Sequence, residues 1–118
     1  MNYLEAAKEI KEVIPEIENE LKQNRKQNPY SLIQTFTDNI KDRIKQNDRN
    51  ILFLCLKKMD EIYRNGDAVL KNAVEHTFIY SLDNSTVLCS EEYRKMIFSH
   101  ISKDLQTVYS RQIYNHGI

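Results

Sequence analysis

Six apolar residues follow one another near the middle of the chain: Ile51, Leu52, Phe53, Leu54, Cys55 and Leu56. No other feature of the sequence restricts the fold as much. Wound into a helix, such a run has no polar side, so it calls for cover all the way round. Beyond it, Lys57, Lys58, Asp60 and Glu61 alternate with Met59, Ile62 and Tyr63, and the pattern becomes amphipathic. A helix over about residues 49–65 is therefore expected at the centre, with the rest of the chain packed around it.

The surrounding elements are expected to be helices as well. Two glycines and two prolines in 118 residues supply too few turns for a many-stranded sandwich or barrel. The length fits one domain, residues 1–118, large enough to bury about two-thirds of its unfolded surface without a disulfide or metal staple. The expected fold is all-α: a single-domain bundle of five to six helices around the buried helix at about 49–65.

In chain order, Tyr3, Ala7, Ile10, Ile14, Ile17 and Leu21 recur at steps of four and three and share one helical seam, with Leu4 and Val13 beside it. Pro15 interrupts that helix, either kinking it or dividing it in two. The seam stays in phase across the proline, which favours one bent helix. The polar residues 22–28 then form a connection, and Asn28 with Pro29 reads as a cap and first helical position. Leu32, Ile33, Phe36, Ile40 and Ile44 mark the buried stripe of the next helix, with Asp38, Lys41, Asp42, Arg43 and Lys45 on its wet side.

After the central helix, Gly66 is expected as a left-handed helix terminator and Asp67 as the cap of an antiparallel neighbour. That neighbour should bury Val69, Leu70, Ala73, Val74, Thr77, Phe78 and Leu82. Residues 83–90, DNSTVLCS, form the best candidate loop, with Val87 and Leu88 tucked under its edge. Ser90 followed by Glu91 and Glu92 starts a helix with acids where the dipole favours them. Tyr93, Met96, Ile97 and Ile101 point inward along it, and Leu105, Val108, Tyr109 and Ile113 do so further on. A break at residues 100–102 is expected, although one helix over residues 91–114 would present nearly the same faces.

Charge narrows the function. Seventeen basic and seventeen acidic side chains cancel and stay close to balance along the chain, so no field exists to gather phosphates and nucleic acid is not an expected partner. Residues near the N-terminus carry charge too often for a secretory signal, and no stretch approaches the roughly 20 apolar residues of a membrane span. A cytoplasmic protein with no membrane partner is expected. Cys55 and Cys89 make neither a disulfide framework nor a zinc ribbon, and a reduced pair fits that setting.

Few residues carry chemistry. His76 follows Glu75 directly, about 100 degrees round a helix, so the two cannot grip one ion together. His100 and Asp104 stand four apart and could support a continuous helix at that point. His116 lies where a terminus frays. Repeated Glu-x-x-His on facing helices and His-Glu-x-x-His are both absent. Cys89, ahead of a helix N-terminus, has the one physical argument for a nucleophile, but no histidine or lysine adjoins it in sequence. No catalytic, cofactor-binding or metal-ligating residue is therefore expected.

Seven tyrosines against four phenylalanines and no tryptophan favour edges that are apolar on one side and wet on the other, as at protein interfaces. The order of features resembles small all-helical bacterial proteins of unassigned function, some encoded near polymorphic-toxin loci and taken to be immunity proteins. The resemblance is carried by Ile14-Pro15-Glu16-Ile17, Asn65-Gly66-Asp67, Lys71-Asn72-Ala73-Val74-Glu75, Phe78 and Tyr114-Asn115. It implies no catalytic residues and an action by binding and occluding a partner protein. The expectation is a non-catalytic protein-binding module without cofactor. The alternative is a helical regulator or scaffold acting as a homodimer, paired through the seam from Tyr3 to Leu21.

Overall fold

The computed structural model describes residues 1–23 and 27–116, with side chains up to residue 112 at the C-terminal end. Every regular element among the described residues is a helix, with α1 at Tyr3–Val13, α2 at Ile17–Gln23, α3 at Pro29–Gln46 and α4 at Arg49–Asn65. There follow α5 at Ala68–Ala73, a π-helical stretch at Val74–Ile79, α6 at Tyr80–Thr86, α7 at Glu91–Ser99 and α8 at Lys103–His116. Among the described residues no helix is long and apolar enough to cross a membrane. Of the expected polar connection at residues 22–28, Lys22 and Gln23 belong to α2 and residues 24–26 lie outside the described residues, as do the inward Ile113 and the side chains of Tyr114 and His116.

The first expected helix is two. Asn2 caps α1 by accepting from the Glu5 amide at 3.0 Å, and the helix stops at Ile14, whose φ of −130° and ψ of 82° are not helical. Ile14 precedes Pro15, whose ring crowds the preceding residue out of the α region, so proximity to proline outweighs continuity of the seam. The Ile17 amide then bonds to the Ile14 carbonyl at 3.0 Å, a turn short enough to keep the seam in phase. Ala7, Ile10, Ile14 and Ile17 are all buried and Tyr3 and Leu21 half-buried, so most of the seam is taken up by packing within the chain.

Helix α3 begins with a reciprocal cap: the Ser31 amide donates to Asn28 Oδ1 at 2.9 Å and the Asn28 amide to Ser31 Oγ at 3.3 Å. It ends at Asn47 in the left-handed conformation, φ 56°, a region that asparagine tolerates better than most residues. The whole expected stripe is buried, together with the polar Thr37 and Asn39. Asn39 is satisfied by donating to Glu20 at 2.9 Å and to the Thr35 carbonyl at 3.0 Å. This helix packs against α1, α2, α4, α5, the π-helical stretch and α6.

Helix α4 is less enclosed than its apolar run suggests. It packs against α1, α3 and α5 and buries Leu52, Cys55, Leu56, Met59 and Ile62. Ile51 and Phe53 are half-buried, and Leu54 is 56% exposed. The expectation of a helix covered on every side is corrected here, and α3 is the helix that most others touch. Leu54 falls one turn from Asn50 and Lys57, both exposed. Lys58, with its side chain 16% exposed, is instead held towards α1 by Glu9 at 2.5 Å and by Glu61 at 3.0 Å.

Gly66 is not left-handed; its φ is −70° and ψ 155°. Glycine is required there for space, because an added Cβ would stand 2.4 Å from the Ile62 carbonyl and 2.9 Å from Leu70 Cβ. Asp67 caps α5 as expected, accepting from the Leu70 amide at 2.9 Å. From α5 through α6 the backbone stays helical, one rod with a π-helical middle in which each turn takes an extra residue. Gln112 of α8 donates to the Glu75 carbonyl in that stretch at 2.7 Å. Leu70, Ala73, Val74, Phe78, Ile79 and Leu82 are buried, whereas Val69 is 47% exposed, against expectation.

The expected loop at residues 83–90 is only half loop. Helix α6 runs on to Thr86, whose hydroxyl donates back to the Leu82 carbonyl at 2.9 Å. Residues 87–90 make the connection, and Ser90 caps α7 by accepting from the Tyr93 amide at 3.1 Å. The chain breaks again between α7 and α8. Ser102 accepts from the Leu105 amide at 3.2 Å, and its own amide donates to Asp60 of α4 at 3.1 Å.

Candidate functional site

The two cysteines lie in opposite surroundings. Cys55 is fully buried on α4, and burial pushes its thiol up to about 12, so it stays protonated. Cys89 is half-buried at the foot of α7. The fold gives it the company that its sequence neighbours do not: Lys41, Ile44 and Lys45 of α3 form one wall of a groove, and Asn84, Ser85, Leu88 and Cys89 form the other. This groove encloses about 450 Å³. The lysines lie more than forty positions before Cys89, which is why no local pattern reveals the pairing.

Leu88 dominates the rim, at 96% exposed, with Val87 beside it at 68%. Their expected burial under the loop edge is overturned. The reason is geometric: Thr86 ends α6 and Ser90 caps α7, so the intervening residues are held out as a short ridge. Beneath it, Tyr93 is buried, and its hydroxyl has no partner among the described residues. Burial raises the Tyr93 phenol, and the guanidinium of Arg49 lies 5.0 Å above its ring.

The histidines do not converge. His76 is exposed on the π-helical stretch. His100 falls in the break after α7, so its spacing to Asp104 is no longer helical. Its Nδ1 instead lies 2.8 Å from the Met96 carbonyl, and its ring stacks on Phe53 with centroids 3.7 Å apart. The stack lines a shallow, mainly apolar groove of about 570 Å³ with Asn50, Leu54 and Lys57. Among the described residues no three of His, Cys, Asp and Glu gather closely enough to hold a metal.

Two tyrosines close polar networks that the sequence did not signal. Tyr109 donates to Asp83 at 2.6 Å, and Arg94 bonds to both at 2.7 and 2.8 Å, tying α6 to α7 and α8. Burial, then the bond to Asp83, pushes the Tyr109 phenol up to about 12. Tyr63 donates to Glu75 at 2.7 Å and is pushed up to about 12 in the same way. Both hydroxyls remain neutral donors over the ordinary pH range, which suits them to hold helices together.

In the groove beside Leu88, exposed apolar surface, cationic side chains and a thiol thus meet. No curated protein and no solved structure matches this chain. The model of one family, described as Domain of unknown function (DUF7674), matches residues 7–115, and the chain belongs to that family.

Proposed function

We propose that this chain is a non-catalytic protein-binding module whose contact surface is the ridge at residues 87–88 with the groove behind it. In the most specific form of this reading it is an immunity protein that neutralises a bacterial toxin. The observation that carries the binding reading is Leu88, held 96% exposed between two anchored helix ends. A leucine fixed in water gains roughly 1.5–3 kcal/mol when a partner covers it. A specific complex of this kind buries about 1,200–2,000 Å² in total. The immunity form rests on the resemblance noted above. Two free cysteines support a cytoplasmic setting.

Against the homodimer alternative stands the burial of Ala7, Ile10, Ile14 and Ile17 within their own chain, which leaves Tyr3, Leu21 and the neighbouring Leu4 of that surface for a second copy. The deciding experiment is affinity capture from the native host with the wild-type chain and with Leu88→Ser. The captured protein is then expressed alone and with this chain. The expected result is one partner, lost with Leu88→Ser, that arrests growth unless this chain is present. A partner retained by Leu88→Ser would remove the ridge from the interface, and a harmless partner would remove the immunity reading.

A further inference from the structure

Resting on that reading of the ridge as a contact surface, we infer that the groove takes an acidic amphipathic helix of the partner protein, its carboxylates on Lys41 and Lys45 and its apolar side on Leu88. The two walls have different chemistry. Lys41 and Lys45 stand one turn apart on α3, a rise of about 6 Å, which is also the rise between positions i and i+4 of a docked helix. A pair of glutamates or aspartates at that spacing reaches both ammonium groups at once.

The charges on this wall are available. Among the described residues neither Lys41 nor Lys45 has a carboxylate within 4.0 Å, whereas Arg43 between them is taken by Glu16 at 2.9 Å and Asp48 at 3.4 Å. Ile44, 5% exposed, lies between the lysines in sequence and borders the same groove. Opposite them, Leu88 offers a complete side chain to an apolar residue on the adjoining stripe of the incoming helix. A bilayer would cover the exposed Leu88, but its anionic groups carry no fixed spacing to match the two lysines. A phosphate backbone would use the lysines and leave Leu88 in water.

The test uses the intact protein and a displayed library of random peptides about 12 residues long, enough for three helical turns. The enriched peptides are expected to carry two acidic residues four apart beside Leu, Ile, Phe or Met. Their affinity is expected to fall by at least about tenfold for Lys41→Glu/Lys45→Glu and to weaken as salt rises. Circular dichroism melting of that variant, altered at two lysines outside the core, checks that it remains folded. Enrichment of basic or uncharged peptides, or undiminished binding by the double variant, overturns the inference. Peptides without acids that nonetheless require Leu88 overturn the acidic assignment and leave the ridge as a contact surface. Peptides indifferent to the lysines and to Leu88 overturn both readings. Capture of phosphatidylserine vesicles that depends on the two lysines, with no acidic peptide enriched, assigns the groove to a lipid surface and likewise overturns it.

Discussion

Two short apolar runs, residues 51–56 and residues 87–89, look alike in sequence and end in opposite places. In the first, Leu52, Cys55 and Leu56 are fully buried and only Leu54 reaches well into water. In the second, Val87 and Leu88 stand exposed and Cys89 is half-covered. The difference lies in what surrounds each run. Residues 51–56 belong to a long helix with α1, α3 and α5 laid against it, so most directions of the helix meet a neighbour. Residues 87–89 are pinned between the last turn of α6 and the Ser90 cap of α7, and only Cys89 turns inward, towards the groove it shares with α3. Apolarity states what burial would gain; the ends that hold a segment decide whether it can be buried.

The contrast can be broken by substitution. Leu52→Ala opens the buried run and is expected to cost about 2–5 kcal/mol in urea unfolding, because the cavity adds to the lost transfer energy. A cost below about 1 kcal/mol would mean that residues 51–56 are not core. Gly66→Ala, at the end of the same helix, sets a Cβ against the Ile62 carbonyl and Leu70, and a loss of about 1–3 kcal/mol is expected.

Alkali sharpens the comparison through the thiols and phenols. Cys55, Tyr63 and Tyr109 are each raised to about 12 in the folded chain, from 9.0 for the thiol and 10.0 for the phenols. Their contribution to stability is whole below the unfolded values. It declines as pH climbs towards 12, because the unfolded chain releases these protons first. Unfolding free energy is therefore expected to fall steadily through that window. A thiol reagent at neutral pH should modify Cys89 in the native state and Cys55 only on unfolding; equal rates would contradict the burial contrast. The smallest effect on stability belongs to Leu88→Ser, expected to change it by no more than about 0.5 kcal/mol.

Local signals in the sequence carried much of this fold. Asn28 with Pro29, the stripe from Leu32 to Ile44, the Asp67 cap and the Ser90 start each depend on a few adjacent residues, and each stands where the pattern puts it. The break at Ile14 was also local, yet seam phase argued for a bent helix while the restriction on a residue before proline argued for two. The outward turn of Leu54 was written in Asn50 and Lys57, both exposed, although a six-residue apolar run hides that register. Other features had no local signal. Residues 83–86 read as loop from their polar side chains and stay helical with Asp83 bonded to Arg94 and Tyr109, contacts that only the folded chain supplies. The π-helical stretch carries no recognisable mark in its sequence. The groove joins α3 to a connection more than forty residues later, so Cys89 could be singled out while Lys41 and Lys45 passed as ordinary wet-side residues.

The most direct test sets thermal unfolding of the wild type beside Leu88→Ser, each with and without the captured partner. Alone, the two chains should melt together, and the partner should raise the transition of the wild type while leaving that of Leu88→Ser nearly unmoved. A lower melting point for Leu88→Ser alone would show that Leu88 supports the core, and an undiminished rise with partner would show that the ridge is not where binding occurs.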